Sequence, residues 1–266
     1  DSNAAALLGS VITLVSLASI FVGLRLYVRQ RITRNLSWDD WTMLSAMIMT
    51  LVTGIIMCVM TRFGLGSHIW GIGRQHLLDY FFGYYLTSIF YNAALGFLKA
   101  ALLLQYIRFF SPGMKKVALI GMVIISMWSI ALVFASIFNC TPVEGFWNGN
   151  INSKCIAQYP FHYVSSTGNI ITGFFIFALP IPILWRLALP LPQRLSLAGV
   201  YVLGFFTWAI SVVRITFMTS GADRTYEHIG PFIWTAAELC CGIIASCLPT
   251  LQPFLAKWVP ALRNSS

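Results

Sequence analysis

An ionised side chain inside an apolar stretch is costly to keep, so such residues are where chemistry is first sought. The run PFIWTAAELCCGIIASCLP, residues 231–249, holds one acid, Glu238. The apolar run before it, near 195–218, holds one base, Arg214. At the rise of an α-helix, Arg214 lies roughly one turn, and Glu238 roughly two turns, from the same face of a bilayer. An arginine is long enough to close that gap, so an Arg214–Glu238 ion pair between neighbouring helices is expected. Such a pair either fixes helix packing or belongs to a site. A second pair is expected near the opposite face. Asp39 and Asp40 begin one apolar run, and Lys99 approaches the same surface from the next. Lys99 with Asp40 would neutralise two charges at the boundary, leaving Asp39 to cap its helix or to face the arginines of the first loop.

Other chemistry is thinner. His68, His76, His162 and His228 all map to one side, with Asp79, Glu144, Asp223 and Glu227. Histidine is the usual pH switch and metal ligand. No HExxH motif occurs, however, and His76 with Asp79 supplies only one pair at helical spacing. No metal and no cofactor is expected. There is no Walker loop, no GxGxxG fingerprint, no nucleophile–base motif and no clustered aspartate pair for magnesium-diphosphate chemistry. A sharper arrangement is an apolar pocket with few polar contacts, as small-molecule sites commonly show. Asn92, Asn169 and Glu238 would supply those contacts, with Trp208, Trp234 and Arg214 beside them.

The elements that position these residues follow from composition. The chain is 58% hydrophobic and 9% charged over 266 residues. Soluble domains carry about 25% charged residues, so this is an integral membrane protein whose first partner is the lipid bilayer. The net charge of +9 is spread out, and no basic block is long enough for nucleic acid. Seven runs are long enough to span, near 4–27, 41–60, 78–107, 117–139, 161–188, 195–218 and 230–256. Eleven basic residues fall on one side of them and four on the other. The positive-inside rule places the richer side in the cytoplasm. The expectation is an all-α bundle of seven transmembrane helices, N-terminus outside and C-terminus cytoplasmic. It forms a single domain over 1–266, trimmed from a longer chain because it begins at Asp1. Cys140 and Cys155 flank the longest outer loop, where a disulfide can persist.

Seven spans invite two analogies, and both meet obstacles. A retinal protein needs a Schiff-base lysine in its last span, and none occurs there before Lys257. A rhodopsin-class receptor ends its third span in an acid-Arg-Tyr motif. This chain has LLLQYIRFF, with no acid before Arg108.

An ordered set of short stretches carries a resemblance. SWDDW lies at 37–41, GLGSH at 64–68, LKAALLLQYIR at 98–108, CTPVEGFW at 140–147, LPIPILW at 179–185 and CLPTLQP at 247–253, with Gly204, Arg214, Trp234 and Glu238 between. The set resembles the fungal rhodopsin-like domain family of seven-span membrane proteins over nearly the whole chain. The resemblance implies a plasma-membrane location, with an endomembrane as the alternative. Some members are thought to be receptors, and others accompany secondary-metabolite genes. The family usually places an Asp seven residues before the first proline of Leu-Pro-x-Pro, whereas this chain has Gly173. The expected function is receptor-like sensing of an extracellular or lipophilic ligand without retinal, relayed to a cytoplasmic signalling partner. The alternative is a membrane-embedded cyclase or isomerase acting on a lipophilic intermediate, with a desolvated Glu238 or Asp79 as general acid. A transporter is disfavoured because no inverted repeat is visible.

Overall fold

The computed structural model describes residues 4–66, 73–109, 112–148, 151–181, 204–206, 208–212 and 229–258. Nearly all of these are helical. Helix α1 spans Ala4–Tyr27 and runs on as a π-helix, Val28–Ile32. Then come α2 (Trp38–Met60), α3 (Arg74–Phe109), α4 (Pro112–Ile137), α5 (Gln158–Ala178) and α6 (Ile229–Trp258). Residues 204–206 and 208–212 are helical as well. Among the described residues, five helices are long and apolar enough to cross a membrane: α1, α2, α3, α4 and α6. Among the described residues the one extended element is a two-residue antiparallel pair, β1 (Cys140–Thr141) with β2 (Lys154–Cys155), which sets Cys140 opposite Cys155. Those two cysteines are joined by a disulfide.

Helices form here because hydrocarbon offers the backbone no partner but itself. The hydroxyls solve the same problem locally. Thr50, Thr53, Ser136 and Thr235 each donate to the carbonyl four residues earlier, at 2.7–2.8 Å. The burial pattern separates central from peripheral helices. About half of the apolar windows of α3 and α6 is buried, 50% and 56%, against 22% for α1 and α4. Thus α3 and α6 run through the bundle, while α1 and α4 present Ile12, Ile20, Ile120, Ile124 and Phe134 outward.

With no hydrophobic force between helices in lipid, close approach through small residues does much of the packing. A Cβ at Gly242 of α6 would lie 2.7 Å from Leu98 Cδ2 of α3, and one at Gly83 of α3 would lie 2.6 Å from Met60 Cγ of α2. Ala18, Met43, Ala46, Leu95, Leu98, Leu239 and Ile243 join α1, α2, α3 and α6 in one core. Leu7, Met57, Met60, Tyr80 and Phe232 continue it toward the disulfide end. Leu103, Ala118, Ile125 and Ile176 tie α3 to α4 and α5. At Gly66 the turn after α2 has φ +94°, a conformation that favours glycine, and a Cβ there would press on Ile229 Cδ1 at 3.0 Å and the Ala4 backbone N at 3.3 Å.

Candidate functional site

Helix α3 organises three polar centres, one facing α6, one facing α5 and one at its C-terminal end. The first contains Glu238. Its side chain is buried, 5% exposed, and Tyr91 Oη donates to Oε2 at 2.7 Å. Ser211 Oγ, from the helical residues 208–212, donates to Oε1. The carboxylate therefore ties α3 and α6 to a third helical segment. Trp234 lies one turn before Glu238 on α6 and is half-buried. Arg214, expected as the partner of Glu238, lies outside the described residues.

The second centre sits on another face of α3. Asn92 Nδ2 donates to Ser136 Oγ of α4 at 3.1 Å, and Asn92 Oδ1 accepts from Ser165 Oγ of α5 at 3.4 Å. Two turns further along, Lys99 is 6% exposed and its Nζ donates to Asn169 Oδ1 and to Thr172 Oγ1, both at 2.7 Å. Trp208 packs its ring on Phe174 of α5, centroids 6.4 Å apart. Among the described residues, Asn169 Nδ2 and Trp208 Nε1 are buried with no hydrogen-bond partner.

The third centre is an arginine clamp, and it corrects the expected Lys99–Asp40 pair. Asp40 accepts from Arg25 Nε at 2.9 Å and from the Ser37 backbone N–H at 3.2 Å, with Arg29 Nε 3.6 Å away. Lys99 turns instead to α5. The reason is helical phase. Lys99 precedes Arg108 by nine residues, two and a half turns, so the two project from opposite faces of α3. Arg108 faces α2, with Nη1 3.0 Å from Ser37 Oγ and 3.7 Å from Asp39 Oδ1, and so Lys99 faces away. Asp39 does meet the arginines, Arg25 at 2.7 Å and Arg29 at 3.4 Å. Arg25 is fully buried, and its Nη1 also donates to Gln105 Oε1 at 3.3 Å and to the Ser246 carbonyl at 2.9 Å. One guanidinium thus holds α1, α2, α3 and α6.

At the disulfide end, Tyr84 Oη and His162 Nε2 are 2.8 Å apart. Phe146 of the disulfide loop stacks on Tyr84, centroids 6.4 Å apart, and Phe232 meets Tyr84 edge-on at 6.1 Å. Asp79 and His76 both lie in the first turns of α3, Asp79 half-buried and His76 exposed beside Phe63. His68 and His228 lie outside the described residues. Among the described residues no three His, Cys, Asp or Glu side chains converge.

Sequence reasoning passed over Arg25, Tyr91 and Ser211. Arg25 carried a usable signal, being four residues before Arg29 and close in sequence to Asp39-Asp40, which places both guanidiniums on one helical face beside the acids. Tyr91 and Ser211 carried none, because a tyrosine or serine in an apolar run reads as packing until its partner is seen.

Polyenoic acids biosynthesis gene cluster protein Ba17b of Metarhizium anisopliae is 27% identical over 261 residues, covering 91% of this chain and 71% of its own length. A SAT4 family membrane protein of Emericella nidulans is 25% identical over 207 residues, 76% of this chain and 53% of its own. Receptor GIN3 of Arthrobotrys oligospora is 25% identical over 267 residues, 94% of this chain and 62% of its own. The chain thus spans about half to two thirds of the last two. The model of the fungal rhodopsin domain matches residues 24–257, and the chain belongs to that family.

Proposed function

We propose that this chain is a receptor-like, seven-helix membrane protein that senses a lipophilic ligand inside its bundle, without retinal. In this reading its N-terminus is outside, its C-terminus is cytoplasmic and it lies in the plasma membrane. The observation that carries it is the double load on α6. Glu238 engages α3 and the 208–212 helix, and Ser246, about 12 Å further along the same helix, is gripped by Arg25. A ligand that displaces Tyr91 or Ser211 from Glu238 would shift α6 against the clamp, giving two sites and one element that both bias. Asn92, Asn169, Trp208 and Trp234 are assigned as its other contacts, with Arg214. A relative named as a receptor supports the same reading.

The second reading is a membrane-embedded enzyme acting on a lipophilic intermediate, with Glu238 or Asp79 as acid. It is favoured by relatives named for the biosynthetic clusters of polyenoic acids, fugralins, satratoxin and phomoidride. Metabolite profiling of a deletion strain beside a Glu238→Gln strain separates the two. An unchanged profile with a lost transcriptional response to the ligand is the receptor outcome. One discrete lipophilic intermediate accumulating in both strains overturns it in favour of the enzyme.

A further inference from the structure

We propose that the turn joining α1 to α2 holds the phosphate of an anionic phospholipid, with Arg31 and Arg34 on the phosphate and Trp38 and Trp41 against the upper part of its acyl chains. The proposal goes beyond ligand sensing in the bundle. It takes from that reading only that this end lies in the cytoplasmic leaflet, where anionic lipids concentrate.

The exposed side chains set the depth. Helix α2 turns Ile48, Ile55 and Val59 outward, at spacings of seven and four residues that make one stripe. Trp41, seven residues before Ile48, and Trp38, three residues before that, continue the stripe and are 59% and 79% exposed. Indoles on a lipid-facing surface settle at the headgroups, with the ring in hydrocarbon and the N–H toward water. Helix α1 gives the same level. It turns Ile12 and Ile20 outward and ends on an exposed Tyr27. Arg31 and Arg34 lie in the ten residues between Tyr27 and Trp38, and both are exposed. Long basic side chains at this level extend to the phosphates.

The charge count sets the ligand. Arg25, Arg29 and Arg108 face Asp39 and Asp40, three cations on two buried acids. Arg31 and Arg34 take part in no ion pair among the described residues. The clamp has no acceptor to spare for them. Arg29 Nε, for example, is buried without a hydrogen-bond partner among the described residues, 3.6 Å from Asp40 Oδ1. Five arginines and two aspartates therefore leave three positive charges at one turn of the headgroup layer. A phosphate answers that surplus, because its oxygens accept forked N–H pairs from guanidinium groups. A free anion would gain only this contact. A phospholipid also lays its chains along the stripe below Trp38 and Trp41, and so the lipid is the occupant.

The test uses the full-length protein in detergent micelles, titrated with phosphatidic acid carrying brominated acyl chains and with the matching phosphatidylcholine. Bromine quenches nearby tryptophan fluorescence and so reports occupancy. Phosphatidic acid should half-saturate at a mole fraction at least about tenfold lower than phosphatidylcholine, the effect of two arginines close to one phosphate. Arg31→Gln combined with Arg34→Gln should remove that preference. Lys115→Gln combined with Lys116→Gln, an equal loss of charge at the exposed start of α4, should keep it. Unbrominated phosphatidic acid should raise the melting temperature of wild type but not of the arginine variant. Trp38→Phe combined with Trp41→Phe should remove most of the high-affinity quenching and leave that rise in place. Equal affinity for the two lipids, an equal loss in the lysine and arginine variants, or displacement by excess inorganic phosphate overturns the inference. None of these outcomes touches the ligand-sensing reading, which is tested at Glu238.

Discussion

Replacing Arg25 with methionine tests whether one guanidinium holds the bundle end together. Methionine keeps much of the apolar stem and removes the charge. Asp39 and Asp40, 3% and 1% exposed, would then be left with Arg29 at 3.4 and 3.6 Å and Arg108 at 3.7 Å. Gln105 and the Ser246 carbonyl would each lose a donor. Removing one partner of a buried ion pair costs about 3–5 kcal/mol. The remaining arginines screen part of that, so the lower end, about 3 kcal/mol, applies. With about 2–4 °C per kcal/mol for a chain of this size, the melting temperature should fall on the order of 6–12 °C. Arg25→Lys keeps the charge. A compact ammonium, however, cannot reach two carboxylates on one side and a carbonyl on the other. It should fall between wild type and Arg25→Met. Tryptophan fluorescence during a thermal ramp in detergent reads all three proteins. Added salt should change the differences little, because buried charges are poorly screened. The reasoning is refuted if Arg25→Met melts within about 2 °C of wild type, less than 1 kcal/mol.

Three further outcomes are expected. Glu238→Gln retains one acceptor oxygen but sets an NH2 against a hydroxyl donor of Tyr91 or Ser211, and should cost about 1–3 kcal/mol in the same melt; if Glu238→Gln and Arg214→Gln both melt like wild type, an Arg214–Glu238 pair does not exist. Gly83→Val forces a side chain into Met60 and should destabilise by about 1–3 kcal/mol, whereas Gly9→Val, with nothing within 4 Å of its Cβ, should be near neutral. Cys140 and Cys155 should take up a maleimide reagent only after reduction, and labelling of both without reductant would contradict the disulfide.

Composition and helical period determined a good deal about this protein without any coordinates. Low charge and long apolar runs dictate membrane helices, because hydrocarbon leaves the backbone no other partner. The five helices that can span and begin within a few residues of the expected positions follow from that alone. The Cys140–Cys155 pairing was legible because two cysteines bracket one loop. Even the separation of Lys99 from the acids is written in the nine-residue spacing of Lys99 and Arg108, which sets the two on opposite faces of one helix. What only the tertiary structure decided is which polar residue meets which. In a soluble protein a lone polar residue on an apolar face can turn to water. Inside a bundle it must find a partner on another helix, and that partner is set by rotation and depth. Tyr91 and Ser211 reach Glu238, and Asn169 and Thr172 reach Lys99, through contacts 70 or more residues apart in three of the four hydrogen bonds and 27 in the other. No sequence period encodes those distances. They arise when small residues such as Gly242 and Gly83 let the helices close to one particular depth and angle.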